Sequence, residues 1–182
     1  MNTSAEKSSS RLRTMTLTAM FAAILCIICP ISIPIAGPIP ITLSLLAIYL
    51  AGGLLGSGCG TLAVLVYLAL GAAGLPVFSK FSGGVAVLIG PTGGYIIGYL
   101  PCVAITGISR RHPRLFPALA AAGLAVCYLF GTIWLSISTG SPFGAALKTA
   151  VLPFLPFDAI KIVMASLLFY PLRSGFTRIT RK

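Results

Sequence analysis

Acid is what this chain most conspicuously lacks. Among 182 residues only Glu6 and Asp158 carry side-chain carboxylates, and His112 is the one histidine. Glu6 lies in the polar N-terminal stretch and His112 among arginines, so neither a Ser-His-Asp constellation nor a metal-ligating cluster can be assembled. No Gly-Lys-Ser/Thr phosphate loop is present, which excludes ATP hydrolysis by that route. Charge of either sign is scarce: 8% of residues are charged and 57% are hydrophobic, where a soluble domain carries about 25% charged residues. Such a chain cannot cover itself in water but can in lipid. Five cysteines, Cys26, Cys29, Cys59, Cys102 and Cys127, are scattered through apolar sequence. With no second CxxC beside Cys26 and Cys29, they read as small buried thiols, and no metal or cofactor is expected.

What is present is a series of apolar segments. At roughly 20 residues per membrane span, an all-α integral membrane protein is expected. The spans fall at about Thr14–Pro34, Ile41–Leu55, Thr61–Ala73, Gly93–Ile108, Pro117–Ser138 and Pro156–Leu172. The first run follows Arg11 and Arg13 as a signal peptide would, but it has no small-x-small exit and many apolar segments follow, so it is read as a span. Residues 1–13 form a polar tail, 14–172 the six-helix membrane domain and 173–182 a basic tail.

The net charge of +11 does not imply nucleic acid, because the basic residues flank the spans. Lys7, Arg11, Arg13, Arg110, Arg111, Arg114, Arg173, Arg178, Arg181 and Lys182 fall on one side of a six-span chain; Lys80 and Lys148 fall in the opposite loops. Cytoplasmic loops carry the excess of Lys and Arg, which places both termini in the cytoplasm and loops 36–40, 74–92 and 139–152 outside. Irregular backbone at membrane depth survives only within protein or beside a water-filled cavity, so these loops are expected to roof an outward-facing cavity.

Asp158 and Lys161 stand at i, i+3 near the outer end of the last span, on one helix face. Ionisable groups in lipid are costly and mark functional sites; the plain alternative is a structural ion pair or a snorkelling lysine. As a site they suit a ligand with both an anionic group and N–H donors. Gly83-Gly84 and Gly90-Pro91-Thr92-Gly93-Gly94-Tyr95 form a loop where backbone can approach a ligand and where Thr92 and Tyr95 offer hydroxyls. The four-residue spacing of Gly90, Gly94 and Gly98 also suits close helix packing. Gly37-Pro38-Ile39-Pro40 fixes an extended turn before Thr42, a further cavity candidate. Ala19 and Ala23 form a small-xxx-small patch on the first span.

Together, the runs Gly37-Pro38-Ile39-Pro40-Ile41-Thr42, Gly71-Ala72-Ala73-Gly74-Leu75-Pro76-Val77-Phe78, Gly90-Pro91-Thr92-Gly93-Gly94-Tyr95 and Pro156-Phe157-Asp158-Ala159-Ile160-Lys161 resemble the BioY family, biotin-specific substrate-binding (S) components of energy-coupling factor (ECF) transporters. The resemblance covers essentially the whole membrane region in order. It implies a six-helix S-component fold that captures biotin from outside and topples in the membrane during transport. It also implies a transmembrane coupling protein and a pair of ABC-type ATPases as partners, with Ala19 and Ala23 on the coupling face. Asp158 and Lys161 match the family's Asp-x-x-Lys biotin-binding motif, and Ser79 and Lys80 stand in a loop that contributes polar contacts. A multi-pass protein of a bacterial plasma membrane is expected. An S component for another vitamin, or a secondary transporter of a small organic acid, are the alternatives.

Overall fold

A computed structural model describes residues 3–33 and 41–180. The turn Gly37-Pro38-Ile39-Pro40 lies outside the described residues. Every expected span contains a helix: α1 (Thr3–Ile28), α2 (Ser44–Leu55), α3 (Ser57–Ala72), then, after the short α4 (Val85–Ile89), α5 (Gly93–Gly107), α6 (Phe116–Thr139) and, after the short α7 (Phe143–Ala150), α8 (Leu155–Thr180). Of these, Pro113–Thr139 and Leu155–Phe176 are long and apolar enough to cross a membrane alone. The apolar part of α1, Leu12–Ile28, and the helices α2 and α3 are shorter; α2, with 12 residues, is only about 18 Å long.

The outer helices run further than expected. α1 starts at Thr3 because no Gly or Pro interrupts the polar stretch ahead of the apolar one. α8 continues past Pro171 to Thr180, losing one backbone hydrogen bond at the proline. The first span also ends sooner, at Ile28, before Pro30. Beyond it Ser32–Ile33 pairs antiparallel with Ile41–Thr42, Ser32 opposite Thr42, and this two-stranded clip joins α1 to α2.

Glycine sets how closely the helices pack. α5 lies against α6 more extensively than any other pair. A Cβ on Gly98 would sit 3.2 Å from the Cys127 backbone, and one on Gly94 would fall 2.2 Å from Trp134 Cβ. Gly94 and Gly98 thus fulfil the packing role of their four-residue spacing. Gly52 meets the Val103 carbonyl and Gly107 meets Ser57 in the same way, bringing α2 and α3 onto α5. The core between them includes Ile48, Tyr49, Val64, Val103, Phe116 and Phe169, all fully buried.

The two ends of the bundle differ. At one end the α2–α3 turn meets the chain between α5 and α6. Arg110 donates to the Leu55 carbonyl, Arg173 donates to the Arg110 carbonyl at 3.3 Å, and Phe116 stacks on Phe169 at 4.1 Å. At the other end stand the strand clip, residues 74–92 and α7. Phe78 is completely buried there, edge-on to Tyr67 and seated on Gly71. It anchors a 3-10 turn, Ser79–Phe81, whose Lys80 N–H donates to the Pro30 carbonyl and to Ser32.

Candidate functional site

A cavity opens among the loops of that second end, enclosing about 680 Å³ between its walls, mouth included. Five helices supply most of its wall, joined by the strand clip, the 3-10 turn and α7. The start of α2 supplies Ser44 and Leu45 beside Thr42; α3 contributes Tyr67; α5 contributes Thr92 at its cap, then Tyr95, Ile96 and Tyr99 at one-turn spacing. α6 adds Cys127 and Tyr128, and the start of α8 adds Asp158 and Lys161. Ser79 reaches the wall from the 3-10 turn. Four tyrosines and four serines or threonines make up most of the wall, with a few apolar side chains and one ion pair, a mixture of aromatic surface and placed polar groups suited to a small molecule.

The ion pair is the electrostatic centre. Asp158 is 3% and Lys161 7% exposed. Lys161 Nζ donates to Asp158 Oδ1 at 2.5 Å, and Tyr128 Oη donates to Oδ2 at 2.5 Å. The sequence reading weighed a ligand role above a plain salt bridge, yet in the structure the two side chains do form one. Asp158 lies in the first turn of α8, where the free backbone N–H groups favour a carboxylate. Lys161, one turn in, gains nothing from that end of the helix and depends on Asp158. The pair is neutral as a whole, so it presents an acceptor and a donor side by side rather than a net charge.

Of the residues singled out in the sequence, Thr42, Ser79, Thr92, Tyr95, Asp158 and Lys161 share this one cavity. Three others do not form its wall. Gly93 packs its backbone against the Leu88 carbonyl, closing α4 onto α5. Gly84 caps α4 with φ +94°, a conformation favouring glycine, and donates its N–H to Gly71. Lys80 is exposed beside Ser79, with φ +60°. Phe81 follows at φ +55°; two successive left-handed residues other than glycine cost about 1–2 kcal/mol each. The anchoring of Phe78 and the bonds to Pro30 and Ser32 hold them there.

Sequence reasoning missed Tyr128, Tyr67, Tyr99 and Ser44. Single tyrosines in apolar spans carry no motif; the signal available was that Tyr95 and Tyr99 are four apart on one helix face. The Tyr95 ring packs on Gly131 of α6, with its buried hydroxyl beside Thr132. On α1, Ala19 and Ala23 are exposed while Thr18, Phe21, Ala22 and Leu25 are buried. The small-residue patch therefore faces away from the bundle.

A family model described as the BioY family matches residues 1–178. Over 151 residues the chain is 42% identical to a protein of Pyrococcus horikoshii named probable biotin transporter BioY, covering 83% of this chain and 90% of that one. It is 38% identical to the biotin transporter BioY of Thermotoga maritima, covering 86% and 94% respectively. A crystal structure described as the S-component for biotin from an ECF-type ABC transporter superposes with a TM-score of 0.84 at 32% identity, covering 91% of this chain and 93% of that one.

Proposed function

The chain belongs to the BioY family, and on that premise we propose that it captures biotin for an ECF-type ABC transporter, in the cavity that holds Asp158 and Lys161. It is a membrane transport subunit, not an enzyme. The observation that carries the site is the buried, neutral Asp158–Lys161 pair lining that cavity. Biotin has a cyclic urea whose edge presents an N–H donor beside a carbonyl acceptor. Asp158 and Lys161 offer the complementary acceptor and donor. The ureido ring therefore sits at the ion pair, and the valerate carboxylate points to the mouth, where Ser79 lines the wall and Lys80 is exposed. Lys161 serves the ureido oxygen rather than the ligand's carboxylate, because its charge is already matched by Asp158. Thr92 and Thr42 complete the polar contacts, with Tyr95 on the wall beside them.

The same reading orients the chain. Six helices cross the bilayer, the arginine-rich end lies in the cytoplasm with both termini, and the cavity opens outward. The short helices α2 and α3 are accommodated by the loops and α4, which extend the protein at the outer end. The exposed Ala19–Ala23 face of α1 receives the transmembrane coupling protein, and a pair of ATPases supplies the energy. Its relatives come from Pyrococcus horikoshii as well as Thermotoga maritima, so the expectation of a specifically bacterial membrane is cut back to a cell membrane.

The test is binding of labelled biotin to the purified chain in detergent. Wild type binds, and Asp158→Asn and Lys161→Ala each weaken binding at least about 30-fold, since truncating a buried charge partner costs about 2 kcal/mol or more. Absence of wild-type binding would sink the assignment to biotin. Unchanged affinity in both variants would move the site elsewhere.

A further inference from the structure

We propose that Tyr128 is a positioning residue that fixes the plane of the Asp158 carboxylate and so makes the cavity selective for a ligand with free ureido N–H groups. The inference rests on the reading of the cavity as a biotin site. The two oxygens of Asp158 are held from two different helices: Oδ1 by Lys161, one turn along α8, and Oδ2 by Tyr128, across from α6. Lys161 is a flexible ammonium on the same helix and follows the carboxylate if the latter turns. Tyr128 Oη is carried by a rigid ring on a different helix, so its bond sets the rotation of the carboxylate.

The lone pairs define what is left for the ligand. An ionised carboxylate has about four acceptor positions. Tyr128 and Lys161 fill two, one on each oxygen, and the remaining two stay in the plane that Tyr128 sets. Without the tyrosine hydroxyl the carboxylate is free to turn, with Lys161 following it, and its plane no longer stays set to meet an N–H donor in the cavity. Tyr128 lines the same cavity, so the hydroxyl acts where the ligand lies.

A bond that merely tied α6 to α8 would affect every ligand alike, which provides the discriminating measurement. Dissociation constants of biotin and of biotin methylated on one ureido nitrogen are read by competition in wild type and Tyr128→Phe, with the thermal midpoint of each ligand-free protein alongside. Tyr128→Phe is expected to weaken biotin about tenfold or more, to change the methylated compound less than about twofold, and so to collapse the preference between them. Equal weakening of both ligands would assign Tyr128 a structural role only and overturn the proposal. So would an unchanged biotin affinity in a wild-type background that binds biotin normally. Where the methylated compound is too weak to compete, Asp158→Asn and the Asp158→Asn/Tyr128→Phe double variant decide. The tyrosine change is expected to add less than about twofold once the carboxylate is gone, and a full tenfold loss persisting there overturns the proposal. Failure of wild type to bind biotin would overturn this inference together with the reading beneath it.

Discussion

The two ends of the bundle solve opposite problems with the same few residue types. At the arginine-rich end, glycines bring backbones into contact: Gly52 on the Val103 carbonyl, Gly107 on Ser57, Gly53 under the Phe116–Phe169 stack. Side-chain donors there end on backbone carbonyls, as Arg110 does on Leu55. At the loop end, glycines serve turns as well as contacts; Ser82, Ser136 and Thr149 donate to carbonyls, while Thr42, Ser44, Ser79 and Thr92 line a cavity. Asp158 there is held by the side chains of Lys161 and Tyr128. One end spends its named donors on backbone carbonyls and stacked rings; the other holds a buried ion pair on a cavity wall, with acceptor positions in reserve for a guest. Binding should therefore be sensitive to changes at one end, and stability alone to changes at the other.

The strongest way to break that division is Lys161→Ala. It leaves a carboxylate buried with one donor, and breaking a buried pair costs about 3–5 kcal/mol. We expect both biotin binding and the thermal midpoint to collapse, measured by calorimetry and by melting in detergent. If the variant melts like wild type, the pair is not buried in the way described. Next comes Gly53→Ala at the arginine-rich end, whose Cβ would lie 2.6 Å from the Phe116 ring. Overpacking costs about 1–3 kcal/mol, so denaturation should shift while the dissociation constant for biotin holds within about twofold. A matching loss of affinity would show that the ends are not independent. Gly94→Ala crowds Trp134 at the loop end; a similar stability cost of about 1–3 kcal/mol should here be accompanied by weaker binding, because Thr92 and Tyr95 move with it. Smallest is Lys80→Gly. It relieves one left-handed residue, worth about 1–2 kcal/mol, and removes an exposed cation at the mouth. Stability should rise slightly while biotin association slows and loses salt dependence in stopped-flow measurements. Sidedness itself is checked with single thiols in a cysteine-free background. One at Ser82 should react with a membrane-impermeant reagent from outside, and one at Arg111 only after the membrane is opened.

Much of this contrast was legible in the sequence. The basic residues partition between the ends because charges cannot stay in lipid, so their positions mark boundaries even where hydropathy is blurred. Asp158 and Lys161 stood out for the same reason. Less legible were the tyrosines, which suit both a core and a cavity. Tyr49 and Tyr128 look alike in sequence, yet one is fully buried in the core and the other holds the carboxylate. The glycines were ambiguous in the same way. Gly94 and Gly98 pack helices and Gly84 caps one, and nothing in their spacing separates those roles. Helix ends were hardest beyond Leu172, where the apolar run gives way to basic and polar residues and α8 nevertheless continues to Thr180.

The chain has a single tryptophan. Trp134 donates its indole N–H at 3.0 Å to the carbonyl of Gly90, two residues before Thr92 on the wall of the cavity. Any movement of that loop as a guest enters must alter the polarity around this one indole. The molecule thus carries its own optical gauge: its emission colour and its quenching by water-soluble agents record occupancy without a label, a tag or a radioactive ligand.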